Sequence, residues 1–307
     1  MKILVMGAGA VGGYFGGVLA RSGQDVRLIA RGPHLEAIRS KGMTVRSDRS
    51  GEFTVRVPAA ERPDEAWHPD LVLFCVKSYH NRTAIELLGP AVSERTAVLT
   101  LQNGMGSGDE LAAAFGRERV MLGATYVDAE RTGPGIVSQF GDNNRIVFGE
   151  EDGTHTDRAR AVHEAFDSAG VDVELSSDIA RELWIKLVYI CAVGGMTCIS
   201  RASFADVVDT PEAAGLMLRV LTEVADVGRA RGMALDDGIV ESTVQSLQAS
   251  KAEVVSSMHQ DLEAGRPLEV GVLNGAVSRM GKEVGVETPA NDFISATLAV
   301  ADRLARR

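Results

Sequence analysis

The chain opens on an apolar run, Ile3 to Met6, that passes without a polar break into the glycine-rich stretch Gly7 to Gly13. Apolar and small residues then recur from Tyr14 to Ala20 at helical spacing, so the first predicted elements are strand, glycine turn and helix. Asp25 to Ala30 predicts a second strand and completes a β-α-β unit. Met43 to Pro58 is short and alternating, with Gly51 in a turn, and predicts a small β excursion. Leu71 to Val76 and Ala97 to Leu101 are unbroken apolar runs, as central parallel strands covered on both faces require. Tyr79 to Leu88, between them, has helical character. Val120 to Val127 predicts a strand, and Gly135 to Phe148 a strand pair joined through Gly141-Asp142-Asn143-Asn144. A helix from Arg158 to Ala169 and a short strand from Val171 to Leu175 follow.

From about Asp178 the period changes. Ser177-Asp178 has the character of a helix cap, and nearly everything beyond it repeats at helical spacing. Pro211 and Gly232 punctuate the pattern, and Pro289 opens a final helix to Arg307. The expected fold class is therefore α/β: an N-terminal Rossmann-type dinucleotide-binding domain over 1–177, then an all-helical C-terminal domain over 178–307. The apolar helical segments after residue 210 form either the core of that domain or the interface of a homodimer.

Composition narrows the function classes. A chain of 307 residues favours two domains over a single core. The net charge of −10 argues against nucleic acid as a partner, because phosphate contacts call for basic patches. No apolar run approaches the roughly 20 residues of a membrane span, so no membrane association is expected. The chain enters its first strand at once, leaving no room for a secretion signal, and Cys75, Cys191 and Cys198 lack metal-site spacing. Buried thiols in a reducing, cytoplasmic compartment are the expectation. The six histidines are scattered, so no metal site is expected.

The candidate chemistry begins at Gly7-x-Gly9-x-x-Gly12. The first glycine permits a tight turn, the second lets backbone approach a pyrophosphate, and the third lets the helix pack on the strand. Gly7, Ala8, Gly9, Ala10, Val11 and Gly12 would then hold the pyrophosphate at the helix N-terminus. An NAD site usually carries an acid near the end of the second strand, on the ribose hydroxyls. Here the strand ends Ala30-Arg31, and an arginine pairs with a 2′-phosphate, so the expected cofactor is NADP(H). Lys77 and the amides Gln102-Asn103 close two successive strand ends, where such sheets bind ligands.

The helical half carries Glu182-Leu183-Trp184-Ile185-Lys186-Leu187, then Ser256-Ser257-Met258-His259-Gln260-Asp261, Glu269 and Asn274-Gly275. With the glycine motif, Cys75-Val76-Lys77 and Leu101-Gln102-Asn103-Gly104, these resemble the ketopantoate reductase (2-dehydropantoate 2-reductase) family over almost the whole chain, in family order. The resemblance implies NADPH-dependent reduction of a 2-oxo acid to a 2-hydroxy acid, with Lys186 as general acid and Glu269 beside the cofactor in the catalytic set. It implies further that Ser257 contacts substrate, that Lys77, Asn103 and Ala129 contact cofactor, Asn103 substrate as well, and that Arg31 takes the 2′-phosphate.

One departure bears on substrate. In pantoate-forming members the lysine is followed at i+4 and i+8 by substrate-binding asparagines, and by a third about ten residues on. This chain has Ile190, Gly194 and, near the third position, Phe204. Two readings of the substrate therefore stand: 2-dehydropantoate, or another 2-oxo acid that is bulkier or less hydroxylated. A non-catalytic NADPH sensor is a third reading, but a sensor has no need of a general acid.

Overall fold

The computed structural model describes residues 1–250 and 256–307. The chain divides into two compact units: Met1–Gln102 with Ser107–Ile179, and Asn103–Gly106 with Ala180–Arg307. The short stretch Asn103–Gly106 thus leaves the unit that flanks it in sequence.

The first unit begins with β1 (Lys2–Met6), α1 (Ala10–Arg21), β2 (Asp25–Ile29) and α2 (Gly32–Lys41). The hairpin β3 (Met43–Ser47) and β4 (Gly51–Val55) follows, then β5 (Ala59–Ala60), β6 (Leu71–Phe74), α3 (Asn81–Leu88) and β7 (Ala97–Thr100). Helix α4 (Ser107–Phe115), the long strands β8 (Val120–Gly133) and β9 (Ile136–Glu150), α5 (Asp157–Ser168) and β10 (Asp172–Leu175) complete it. One sheet runs in the order β4-β3-β9-β8-β7-β6-β1-β2-β5, with β10 also paired to β9. Strands β7, β6, β1 and β2 are mutually parallel, whereas β8 and β9 are antiparallel. The sheet is therefore mixed, a parallel dinucleotide-type centre extended by two hairpins.

The unbroken apolar runs have a direct cause. Ile3 and Val5, Leu71 and Leu73, and Ala97 and Leu99 face one core cluster with α1 and α5. Their neighbours Leu4 and Met6, Val72 and Phe74, and Val98 face a second cluster that holds Trp67 and Leu111. Side chains alternate across a strand, so a strand covered on both faces must be apolar at every position.

The Gly141–Asn144 stretch departs from expectation. It is a bulge inside β9 and not a strand-joining turn: Val127 pairs with Asn144 while the next residue, Asp128, pairs with Phe140. The turn of the hairpin lies between Gly133 and Ile136. Antiparallel pairing to β8 continues on both sides of the three extra residues, which a turn would have ended.

The second unit is helical: α6 (Ile179–Ser200), α7 (Phe204–Asp209), α8 (Pro211–Ala230), α9 (Ile239–Ser250), α10 (Ser257–Glu263), α11 (Asn274–Val284) and α12 (Pro289–Ala305). Its core gathers Trp184, Leu187 and Val188 of α6 with Val220, Leu221 and Val224 of α8, Leu273, Val277 and Ile294. Phe204 belongs to that core. The apolar segments beyond residue 210 thus supply the domain's own interior.

Helix α6 also corrects an expectation. It has 22 residues, and an 18-residue stretch of it reaches a mean hydropathy of 1.7, long and apolar enough to cross a membrane, with 67% of that stretch buried inside the protein. Its composition follows from the share it contributes to the helical unit's core, where Trp184, Leu187, Val188, Cys191, Ala192, Val193 and Met196 are buried.

Candidate active site

In the first unit the glycine turn is shaped for close backbone approach. Gly7 adopts φ +98°, a region that side chains disfavour. A Cβ at Gly12 would overlap the Gly7 carbonyl oxygen and meet Cys75, so only glycine lets α1 start so near β1. A Cβ at Gly9, by contrast, would meet nothing within 4 Å. Gly9 caps α1 with no side-chain hydrogen bond, and Ala10 and Val11 are half-exposed at the helix start. Open space in front of uncapped helical N–H groups is what a pyrophosphate requires, and the residues present fit a dinucleotide.

Arg31 stands directly after β2 at the N-cap of α2, exposed, with extended backbone. No acid lies at that strand end. Lys77 is half-buried just beyond β6, and Ala129 lies in β8 opposite Gln139, partly packed on the core.

Gln102 is used differently. Its amide donates to the Val76 carbonyl at 2.7 Å and to Asn81 Oδ1 at 2.7 Å, and Asn81 donates in turn to Ser107 Oγ at 3.0 Å. This buried chain of amides braces the ends of β6 and β7. Of the two amides there, Gln102 is structural and the half-buried Asn103 passes into the other unit.

In the second unit Lys186 sits within α6, 8% exposed, between the buried Trp184 and Leu187. Trp184 packs so tightly against Gly228 of α8 that a Cβ there would lie 2.9 Å from the indole. That anchor fixes the rotation of α6 and so the placement of Lys186 two residues on. Burial pulls the Lys186 ammonium down to about 7, and the nearby Glu269 carboxylate pushes it back up. Glu269 is itself 7% exposed and precedes the tight turn Val270–Val272.

Asn103 is drawn to the same turn. The Met105 N–H donates to the Val272 carbonyl at 2.9 Å, and Gly104, with φ +85°, leaves no room for a Cβ against that oxygen. The Asn103–Gly106 stretch is thereby strapped to the segment that carries Glu269.

The α6 face bearing Lys186 continues through Ile190 and Gly194, four and eight residues on. Ile190 is half-buried and packs on the helical core. At Gly194 an added Cβ would meet Met258 Cε at 3.4 Å and Leu273 Cδ1 at 3.9 Å. The place that a longer residue at 194 would use is thus lined by hydrocarbon and a thioether. Met258 belongs to the Ser256–Asp261 motif, but nothing local in the sequence tells that it and Leu273 meet Gly194, which depends on how the segments that carry them pack.

The paired serines divide their work. Ser256 caps α10, accepting from the His259 N–H at 3.0 Å, and its hydroxyl meets Thr197 Oγ1 of α6 at 3.0 Å. Ser257 is exposed at the first position of α10. Asn274 is wholly buried and donates to the Cys191 carbonyl at 3.2 Å and to Asn291 Oδ1 at 2.9 Å, tying α11 to α6 and α12.

Among the described residues no group of three or more His, Cys, Asp or Glu side chains is placed to hold a metal ion. Cys75, Cys191 and Cys198 are free thiols, and burial raises all three, Cys75 to about 12.

Comparison with known proteins finds relatives of both units. Residues 3–153 match the family model described as ketopantoate reductase PanE/ApbA, and residues 178–302 match its C-terminal counterpart. The 2-dehydropantoate 2-reductase of Archaeoglobus fulgidus is 34% identical over 294 residues, covering 94% of each chain. The crystal structure of a PanE/ApbA family ketopantoate reductase from Ralstonia eutropha JMP134 superposes with a TM-score of 0.92 at 33% identity, covering 100% of both chains. The structure of D-mandelate dehydrogenase with NADH and anilino(oxo)acetate superposes with a TM-score of 0.90 at 25% identity, covering 100% of this chain and 99% of the other. From its glycine turn to its final helix, this chain belongs to the ketopantoate reductase family of oxidoreductases.

Proposed function

We propose that this chain is an NADPH-dependent reductase of a 2-oxo acid, converting 2-dehydropantoate to pantoate in the cytoplasmic synthesis of pantothenate and coenzyme A. The observation that carries the reading is Lys186, a buried lysine brought to about 7 with the Glu269 carboxylate acting on it. A lysine so poised gives and regains a proton near neutrality, which an ordinary surface lysine does not.

Bound NADPH supplies a hydride to the carbonyl carbon of the substrate. Lys186 does the rest of the proton work: its ammonium hydrogen-bonds the carbonyl oxygen, offsets the negative charge that grows there, and hands over a proton to form the hydroxyl. Glu269 favours the charged lysine and so restores the acid after turnover. Gly7 to Gly12 hold the pyrophosphate, and Arg31 pairs with the 2′-phosphate. Lys77, Asn103 and Ala129 line the remainder of the cofactor site, with Asn103 and Ser257 on the substrate.

A second substrate reading has its own observation. Ile190 and the Gly194–Met258–Leu273 surface continue the Lys186 face with hydrocarbon, which suits a branched or aromatic 2-oxo acid better than a hydroxylated one. The likeness to D-mandelate dehydrogenase, solved with the aromatic ligand anilino(oxo)acetate, points the same way.

The test is NADPH consumption by the purified protein on 2-dehydropantoate beside branched and aromatic 2-oxo acids. A clear preference for 2-dehydropantoate supports the leading substrate, and preference for a hydrocarbon acid replaces it with the second. Turnover of none of them overturns the assignment as a reductase of 2-oxo acids.

A further inference from the structure

His34 is a buried titratable group that the proposed chemistry leaves unused, and both of its ring nitrogens are engaged. It lies in the first turn of α2, three residues after Arg31, and is 5% exposed. Nε2 is 2.7 Å from the carbonyl oxygen of Ala8, inside the glycine turn. The backbone N–H of Gly135, in the β8–β9 turn, donates to Nδ1 at 2.9 Å. A backbone N–H can only donate, so Nδ1 must be the lone-pair nitrogen and Nε2 must carry the proton. The ring is thereby held as one neutral tautomer, donating to Ala8 and accepting from Gly135.

These two bonds join three parts of the first unit. Ala8 is gripped on its other side too, its N–H donating to the Ile29 carbonyl at the end of β2 at 2.9 Å. Gly135 takes φ +73°, and a Cβ there would meet Ala37 of α2 at 3.0 Å, so the β8–β9 turn lies tight against the helix that carries His34. The glycine turn, the Arg31 end of α2 and the hairpin turn are pinned at a single imidazole.

We infer that His34 is a positioning residue for the dinucleotide: by holding the Ala8 carbonyl it sets the conformation of the Gly7–Gly12 turn, and so the affinity for cofactor, without touching the reacting atoms. The inference rests on the dinucleotide reading above. It carries a pH dependence. Protonation at Nδ1 would lose the bond from the Gly135 N–H and leave the Gly133 carbonyl of the same turn as the acceptor, changing how the ring holds the turn. Burial and the Arg131 charge on β8 both hold the ring below its ordinary value of 6.5, and the Ala8 and Gly133 carbonyls oppose them. The glycine turn carries no titratable side chain, and Glu36, Arg39 and Lys41 of α2 are exposed. The ring is thus neutral at pH 7 and its pin is intact.

The test measures NADP+ affinity by calorimetry from neutral to mildly acid pH for the wild type, His34→Ala and His34→Gln, with melting temperatures alongside. His34→Ala should weaken NADP+ binding about 10-fold, the value of one buried hydrogen bond, with kcat at saturating cofactor within about twofold. His34→Gln, whose amide has both a donor and an acceptor, should recover most of that affinity. Titration of the cofactor phosphate is common to both proteins. Below 6.5 the wild type should therefore weaken more steeply than His34→Gln. Equal affinity and matching pH profiles for wild type and His34→Ala would overturn the inference. So would a His34→Gln protein that folds but binds no better than His34→Ala. Failure of the wild type itself to bind any dinucleotide would overturn the cofactor reading beneath it.

Discussion

Lys186 and Glu269, 83 positions apart in sequence, act on each other inside the helical unit, both less than a tenth exposed. Burial outweighs the carboxylate, so the ammonium falls from 10.5 to about 7 while still feeling the nearby negative charge. A general acid must be charged to donate. We expect kcat for reduction to fall as pH rises through about 7, and the reverse oxidation of the 2-hydroxy acid to rise over the same interval. Glu269→Gln removes the influence that raises the lysine, so its fall in kcat should move to lower pH. Lys186→Ala should keep dinucleotide binding while turnover collapses. A pH–rate profile that does not change in Glu269→Gln would contradict the pairing.

The same lysine should cost stability. Between about 7 and 10.5 the unfolded chain holds a proton that the folded protein has released, so this group's contribution to stability rises with pH across that window. Well below pH 7 both states are charged and the full cost of burial is present. Lys186→Met should therefore be more stable than the wild type near neutral pH, by on the order of a few kcal/mol at most, and melt higher, with the gain shrinking toward pH 10. Thermal melts at several pH values read this directly.

Arg31 should decide between the two nicotinamide cofactors. Arg31→Ala should raise KM for NADPH by about tenfold or more and leave KM for NADH nearly unchanged, because only the former loses a charge-assisted bond. Steady-state kinetics with each cofactor separate these outcomes, and parallel effects on both would remove the arginine from the phosphate.

The strap at Gly104 predicts a local structural effect. A Cβ at 104 would overlap the Val272 carbonyl, and the backbone is at φ +85°. Gly104→Ala should displace Asn103 or destabilise the protein by about 1–3 kcal/mol. A rise in KM for the 2-oxo acid together with a lower Tm is the expected signature, and an unchanged protein would show that the strap is dispensable.

Ile190 and Gly194 should respond differently to asparagine. Ile190 is half-buried, and Ile190→Asn should shift kcat/KM toward 2-dehydropantoate over a plain branched 2-oxo acid by about tenfold. Gly194→Asn puts a Cβ in ordinary contact with Met258 and Leu273 but sets its amide against hydrocarbon, so it should cost stability unless the substrate satisfies that amide. Competition between the two acids, with melts of each variant, distinguishes specificity from packing.

What the sequence by itself determined lies where the signal is local. Period-two burial on both faces wrote Leu71–Phe74 and Ala97–Thr100 as apolar runs, and the glycine spacing marked the turn between β1 and α1. The change of period near Asp178 announced the helical unit, and the family motifs singled out Lys186 and Glu269. Only the tertiary structure decided the rest, because those facts depend on partners that are distant along the chain. Gln102 became a brace once Val76 and Asn81 were in reach, whereas Asn103 one residue later joined the other unit. The apolar length of α6 reads alike for a membrane span and a core helix until its neighbours cover it. The surface beside Gly194 is made by Met258 and Leu273, and His34 meets Gly135 across 101 positions of chain. Local pattern reports which face of an element is buried; which atoms fill that face is settled by long-range packing, and that packing also sets the protonation of Lys186.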